Sequence, residues 1–343
     1  MWEIVGQSKV VSLLQHSLEK QATAHAYLLV GPRHVGKMTL ARDLAKALNC
    51  TAAEPPCGEC DSCQKIARGK HADVQVIGLG SNDNGTAETR SQAEISIEQI
   101  RELQHSANLP PFEGKHKAFI IDQAELLSHE AANCLLKTLE EPSPRVVFLL
   151  MTTNEKLLPA TVISRCQRLE LSPLTATEVE TALTTRWGTV PDKARLLARL
   201  CHGCLGWAIT ANGDDSLLQD RTNQLEKLLG IIDADNEGRF DHASQLATQF
   251  TQNRDGFPRV IELWLDWWRD LLLIKVDRTD LVTNVDLLDN LTSRAQDYTL
   301  HQIRRVIDSI QTTRDQLKQN VNPRLALEVL MLSIPEKEAV KNG

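Results

Sequence analysis

No stretch of this 343-residue chain approaches the ~20 consecutive apolar residues that a helix needs to span a bilayer. Met1 is followed by polar and charged residues rather than an apolar run, so no export signal is expected and the expected location is cytoplasmic. The chain also lacks a basic excess. With 38 Lys and Arg against 45 Asp and Glu its net charge is −7, which argues against a protein that grips nucleic acid alone. If DNA is involved, a local patch or a partner must hold it. Internal repeats and low-complexity tracts are lacking too. What is present is an ordinary soluble composition, 42% hydrophobic and 24% charged, long enough for two or three domains at roughly 150 residues each. Eight cysteines without an export signal read as reduced thiols or metal ligands rather than disulfides.

Apolar Ala26 to Val30 ends at Gly31, and after Gly36 the pattern becomes Leu40, Ala41, Leu44, Ala45, Leu48. The first predicts a buried strand and the second an amphipathic helix. Residues 78–94, polar and glycine-rich, predict a flexible loop. A helix follows from about Ser96 to Ala107, a strand from Lys117 to Asp122, and a helix from about His129 to Glu141 that Pro142 stops. Arg145 to Met151 predicts a third strand and Leu169 to Leu171 a short one. Strands alternating with helices imply an α/β domain with a mostly parallel sheet covered on both faces. Beyond Pro173 helical periodicity takes over. A small helical unit from about Thr175 to Ala211 precedes the turn-rich Asn212-Gly213-Asp214-Asp215. After it, Leu263, Trp264, Trp267, Trp268, Leu271 and Leu272 recur at helical spacing, more as bundle core than as a ligand box. The expected division is 1–172, 173–213 and 214–336.

Gly31-Pro32-Arg33-His34-Val35-Gly36-Lys37-Met38-Thr39 has the glycines and lysine of a phosphate-binding P-loop, between a strand and a helix as such a loop requires. Gly31 and Gly36 let backbone N–H groups turn toward phosphate oxygens, and Lys37 supplies the charge at a helix N-terminus. Met38, however, stands where a hydroxyl should ligate Mg²⁺, and a thioether suits a hard cation poorly. Thr39 belongs to the same loop but cannot replace Met38, because helix neighbours point in different directions. A tight turn without ligand is the alternative. Asp122 closes its strand where a Mg²⁺-holding aspartate sits, but the next residue, Gln123, cannot act as a general base. Glu125, two further along, is expected to face elsewhere if a helix has begun.

Cys50, Cys57, Cys60 and Cys63 fall within one short segment, with Pro55, Pro56 and Gly58 turning the chain between them. Four thiolates so placed suit a closed tetrahedral zinc site with no position for chemistry, the alternative being free thiols. Cys201 and Cys204 lack a partner pair and read as core or surface residues, as do Cys134 and Cys166. Arg165, in Ile163-Ser164-Arg165-Cys166, is either a solvated side chain or a fixed guanidinium for a neighbouring subunit's phosphate.

Taken together, His25-Ala26-Tyr27-Leu28, the P-loop, the cysteine insertion, the run from Ala132 to Pro142 and Ser164-Arg165-Cys166 resemble the bacterial DNA polymerase III clamp-loader family of AAA+ proteins. The resemblance implies an AAA+ domain with an inserted zinc module at 50–63, a helical lid and a helical collar that joins five subunits in a ring. Motors of the family, the gamma/tau subunits, are expected to carry Gly-Lys-Thr or Gly-Lys-Ser, Asp-Glu and a lid arginine. This sequence has Lys37-Met38, Asp122-Gln123 and Trp207 at those places. Those losses, with Ile97 to Leu103 and Trp268 to Leu273, place the resemblance with the non-motor, stator-like branch. Its implied partners are the gamma/tau motors, the delta subunit and, through the complex, the sliding clamp and primed DNA. Arg165 would then be catalytic in trans, at a motor's ATP, and this chain would have no ATPase of its own. Two rivals stay open: a working gamma/tau-type motor with an unusual site, and a zinc-bearing DNA-binding or regulatory module on an inert P-loop.

Overall fold

The computed structural model describes residues 1–79, 94–252, 256–319 and 321–335. Most of the loop expected over 78–94, and the last residue of the expected 214–336 domain, lie outside them. Two compact units divide the chain, Met1–Ala182 with Gly203–Trp207 and Leu183–His202 with Ala208–Gly343.

The first unit runs α1 (Ser8–Glu19), β1 (Ala26–Val30), α2 (Lys37–Asn49), α3 (Asp61–Ala67), β2 (Val74–Ile77), α4 (Ile97–Ala107), β3 (Lys117–Ile121), α5 (His129–Glu140), β4 (Val146–Thr152), α6 (Ala160–Ile163) and β5 (Gln167–Glu170). The strands form one sheet in the order β2-β3-β4-β1-β5, and every pairing is parallel. Alternation along the strands sorts their side chains. Ala26, Leu28, Phe119, Ile121, Phe148 and Leu150 pack with Ile100, Leu103, Leu135 and Leu139 of α4 and α5. Tyr27, Leu29, Ile120, Leu149 and Met151 face the other way, onto Leu14, Leu40, Leu44 and Leu48 of α1 and α2. At ~1.5–3 kcal/mol per fully buried large apolar side chain, these two layers drive the folding of this unit.

Helix starts follow their caps. Ser96 and Gln99 form a reciprocal capping box at α4, and Ser128 Oγ accepts the Ala131 N–H at α5. Parallel strands bring their carboxyl ends to one edge. Gly31 after β1, Asp122 after β3 and Thr153 after β4 therefore meet there, beside the crevices where strand order reverses.

α7 (Ala176–Trp187), α8 (Pro191–Leu200) and α9 (Leu205–Gly213) follow, and the first residues of α7 and α9 belong to the first unit. The second unit continues with α10 (Ser216–Asp233), α11 (Asn236–Gln252), α12 (Phe257–Lys275), α13 (Leu288–Ala295), α14 (Leu300–Lys318) and α15 (Pro323–Ser333). Its core is built on α12, where Val260, Ile261, Trp264, Trp267, Trp268 and Leu271 are buried. Two buried charges serve the backbone. Asp270 accepts from the N–H groups of Thr283 and Asn284, and Arg239 donates to the carbonyl oxygens of Ile231, Ile232, Ile334 and Pro335. Among the described residues no helix is long and apolar enough to cross a membrane.

Candidate functional site

Gly31 has no room for a side chain: a Cβ there would lie 2.6 Å from the Leu171 carbonyl oxygen. Gly36 adopts φ +110, a region costly for other residues, and His34 between them is also left-handed at φ +62. The loop therefore has the bend that a phosphate cradle needs. Its lysine, however, is turned onto the loop itself. Lys37 Nζ donates to the carbonyl oxygens of Gly31 at 2.6 Å and Pro32 at 2.7 Å, and the residue is 9% exposed. Burial pushes its ammonium down from the usual lysine range, against the attraction of Glu125 and then Asp122.

Met38 is partly buried and packs against the α1/α2 core. Hydrophobic packing explains a thioether at this place. Thr39, the next residue, is half-buried on α2. The Asp122 N–H donates to the Ile77 carbonyl at 2.8 Å, which ties its backbone to the end of β2. Gln123 takes φ +52 and opens a 3₁₀ turn over Ala124–Leu126. That turn changes the expected place of Glu125. Instead of facing away along a helix, Glu125 returns to the carboxyl edge, where its Oε1 accepts from Thr153 N at 3.1 Å and Thr153 Oγ1 at 2.7 Å. Burial would raise this carboxyl, but the Thr153 hydrogen bonds win and keep it below the ordinary glutamate value. Sequence spacing missed it because a 3₁₀ turn does not keep the 3.6-residue period.

At the start of α9 the Gly206 N–H donates to the His34 carbonyl at 2.9 Å, and a Cβ on Gly206 would lie 2.8 Å from that oxygen. The backbone before Trp207 is thus seated on the P-loop. Trp207 brings no cation to it.

Arg165 follows the short α6. Its Nη1 donates to the Thr161 carbonyl at 2.8 Å, and its Nη2 is ion-paired with Glu140 Oε1 at the end of α5. The motif pointed to Arg165; nothing local to it pointed to Glu140, which lies 25 residues away. Burial pushes the neighbouring Cys166 thiol up to about 12.

Cys50 caps α2 and Cys60 precedes α3, so two helix ends bring the cysteine segment together. The sulfurs of Cys50, Cys57, Cys60 and Cys63 all lie within 4.8 Å of one another, a group that could hold a metal ion. Cys57 Sγ stands 4.0 Å from Cys63 Sγ, and Cys60 Sγ 4.0 Å from Cys50 Sγ. Backbone N–H groups of Ala52 and Cys57 point at Cys50 Sγ, and that of Cys60 at Cys57 Sγ. Such donors favour thiolate. Despite a burial penalty, backbone and neighbouring thiol hydrogen bonds bring Cys60 down to about 6, whereas burial pushes the enclosed Cys63 up to about 12. Among the described residues no other His, Cys, Asp and Glu group of three or more is so disposed.

Two family models match the chain. That described as "DNA polymerase III, delta subunit" matches residues 6–175, and "DNA polymerase III, delta subunit, C terminal" matches 215–336. The chain is 28% identical over 357 aligned residues to DNA polymerase III subunit tau of Bacillus subtilis, covering 97% of this chain and 61% of that protein. It is 35% identical over 246 residues to subunit tau of Escherichia coli, 68% of this chain and 36% of that one. With subunit delta' of Bacillus subtilis it shares 28% identity over 331 residues, 96% of each. The chain thus spans less than two thirds of the two tau relatives but nearly all of delta'. With the parallel sheet, the P-loop sequence and both family models in place, the chain belongs to the bacterial DNA polymerase III clamp-loader family.

Proposed function

We propose that this chain is the delta-prime subunit of a bacterial clamp loader, a stator-like member that supports DNA replication without hydrolysing ATP itself. The observation that carries the reading is the contrast between two cations. Lys37 is followed by Met38, which offers no hydroxyl to Mg²⁺, whereas Arg165 stands one-third exposed at the end of a short helix. In this reading Arg165 is an arginine finger that stabilises charge on the γ-phosphate of a neighbouring gamma/tau motor, an effect worth about 10³ to 10⁵ in rate in phosphoryl transfer. Gly31, Gly36, Lys37, Thr39 and Asp122 are retained architecture of the P-loop, and nucleotide held there would not be turned over. Met38 and Gln123 support this, since they remove the Mg²⁺ hydroxyl and the base.

The same reading divides the chain into an AAA+ domain at 1–172, a helical lid at 173–213 and a helical collar at 214–336 that joins the ring. Partners are the gamma/tau motors and delta, and through the complex the sliding clamp and primed DNA, in the cytoplasm. Cys50, Cys57, Cys60 and Cys63 would hold a structural zinc. Tetrahedral Zn²⁺ with ~2.3 Å bonds sets its sulfurs ~3.8 Å apart, close to the 4.0 Å separations of this cluster. Zinc there closes the loop between α2 and α3 and leaves no ligand position for chemistry.

A gamma/tau-type motor is the second reading, favoured by the 35% identity to tau of Escherichia coli. Identity does not separate the two, because tau and delta' of Bacillus subtilis are both 28% identical to this chain. ATP turnover by the purified chain does. The delta-prime reading expects none that depends on Lys37, and a robust turnover abolished by Lys37→Ala establishes the motor.

A further inference from the structure

Arg165 is not left loose by its own fold. Nη1 donates to the Thr161 carbonyl at 2.8 Å and to Ser164 Oγ at 3.4 Å, and Nη2 pairs with Glu140. A guanidinium carries five N–H donors in one plane. These contacts engage three, so among the described residues Nε–H and one Nη2–H make no hydrogen bond. Thr161 and Ser164 belong to α6 and its cap, and Glu140 ends α5. Both helices are anchored in the core, by Val162 at 0% exposure and Leu139 at 2%. The guanidinium is therefore held along one side by two fixed elements.

We propose that Glu140 is a positioning residue for the arginine finger, setting the guanidinium plane so that the two uncommitted donors are presented outward. The proposal rests on the reading of Arg165 as a finger. An arginine loses much rotamer freedom when it is fixed, and donors aligned beforehand need no reorganisation at the transition state. The pair is a surface one, with side chains 33% and 51% exposed. A restraint of that kind is weak, so it orients the finger without locking it away from a phosphate.

The test is steady-state ATP turnover, measured against ATP concentration, in a complex reconstituted with the same organism's motor and delta subunits, its clamp and primed DNA. Arg165→Ala, Glu140→Ala, Glu140→Gln and the double variant Glu140→Ala/Arg165→Ala are compared with the unmodified chain. Arg165→Ala is expected to lower kcat by about tenfold or more. Glu140→Ala should lower kcat by about three- to tenfold with KM for ATP unchanged, as expected when pre-orientation of a transition-state donor is lost. Glu140→Gln falls between, because its amide oxygen still accepts. The double variant should match Arg165→Ala, since Glu140 acts only through that side chain. Thermal midpoints of the isolated variants should stay together. If Arg165→Ala slows turnover while both Glu140 variants run at the unmodified rate, or the double variant is slower than Arg165→Ala, the positioning role is overturned and the finger stands. If Arg165→Ala leaves turnover intact, the finger falls and the role of Glu140 falls with it.

Discussion

Lys37 closes onto Gly31: its ammonium donates to the Gly31 carbonyl oxygen at 2.6 Å, across the loop where a phosphate would otherwise collect the charge. In a working P-loop the lysine reaches the β- and γ-phosphates. Met38 beside it offers no hydroxyl to a cation and packs, partly buried, against the α1/α2 core. Gly31 also has a structural reason of its own, because a Cβ there would meet the Leu171 carbonyl oxygen.

Gly31→Ala therefore tests architecture separately from ligand binding. The added Cβ meets backbone at 2.6 Å, and such overpacking typically costs about 1–3 kcal/mol. Urea unfolding without nucleotide should show that loss. A variant as stable as the unmodified chain would mean that the glycine serves a bound phosphate instead.

The cysteine cluster makes a stoichiometric prediction. Purified under reducing conditions, the chain should carry one zinc, released when the thiols are titrated with a mercurial, and Cys60→Ser should lower both zinc content and thermal midpoint. The effect should be local, with α3 losing protection from hydrogen exchange before the sheet does. Metal-free protein with the same exchange pattern and midpoint would make these free thiols.

Asp73 supplies a pH-dependent term. It is buried at 2% exposure, and its carboxylate accepts from the N–H groups of Phe112, Glu113 and Gly114. Burial alone would raise its pKa, but those three bonds overcome it and hold the carboxyl below the ordinary aspartate value. A depressed folded pKa contributes stability that is fully present above the unfolded value of ~3.9 and is lost as pH falls through the folded one. Asp43 and Asp270 run the other way, since burial raises both against their hydrogen bonds. Asp73→Asn should cost about 1–3 kcal/mol at pH 7, and the gap to the unmodified chain should narrow below about pH 4. Urea midpoints at pH 7, 5, 4 and 3 read this directly; a gap that widens in acid would refute it.

How much of this was legible from the sequence depended on whether each signal was local. β1, β3 and β4 are central strands, so their apolar runs announced them. β2 is an edge strand with two exposed residues of four, and it gave no such run. α1 was missed because Gln7 caps it without a side-chain bond, no acid stands in its first turn, and Leu14 is its one buried residue. The cysteines were read from spacing because metal geometry dictates spacing. Arg165, Met38 and Gln123 were visible against a motif, whereas Glu140 and the turned-back Glu125 depended on tertiary placement. The hold of Asp73 on residues 112–114, some 40 positions away, belongs to the same class.

The measurement closest to the central claim compares two charge deletions in one reconstituted clamp loader. ATP turnover stimulated by clamp and primed DNA should survive Lys37→Ala nearly unchanged, because the chain's own site does no chemistry. With Arg165→Ala it should fall by about tenfold or more, because that guanidinium serves the neighbouring motor. The reverse pattern, turnover lost with Lys37→Ala and kept with Arg165→Ala, would contradict the account.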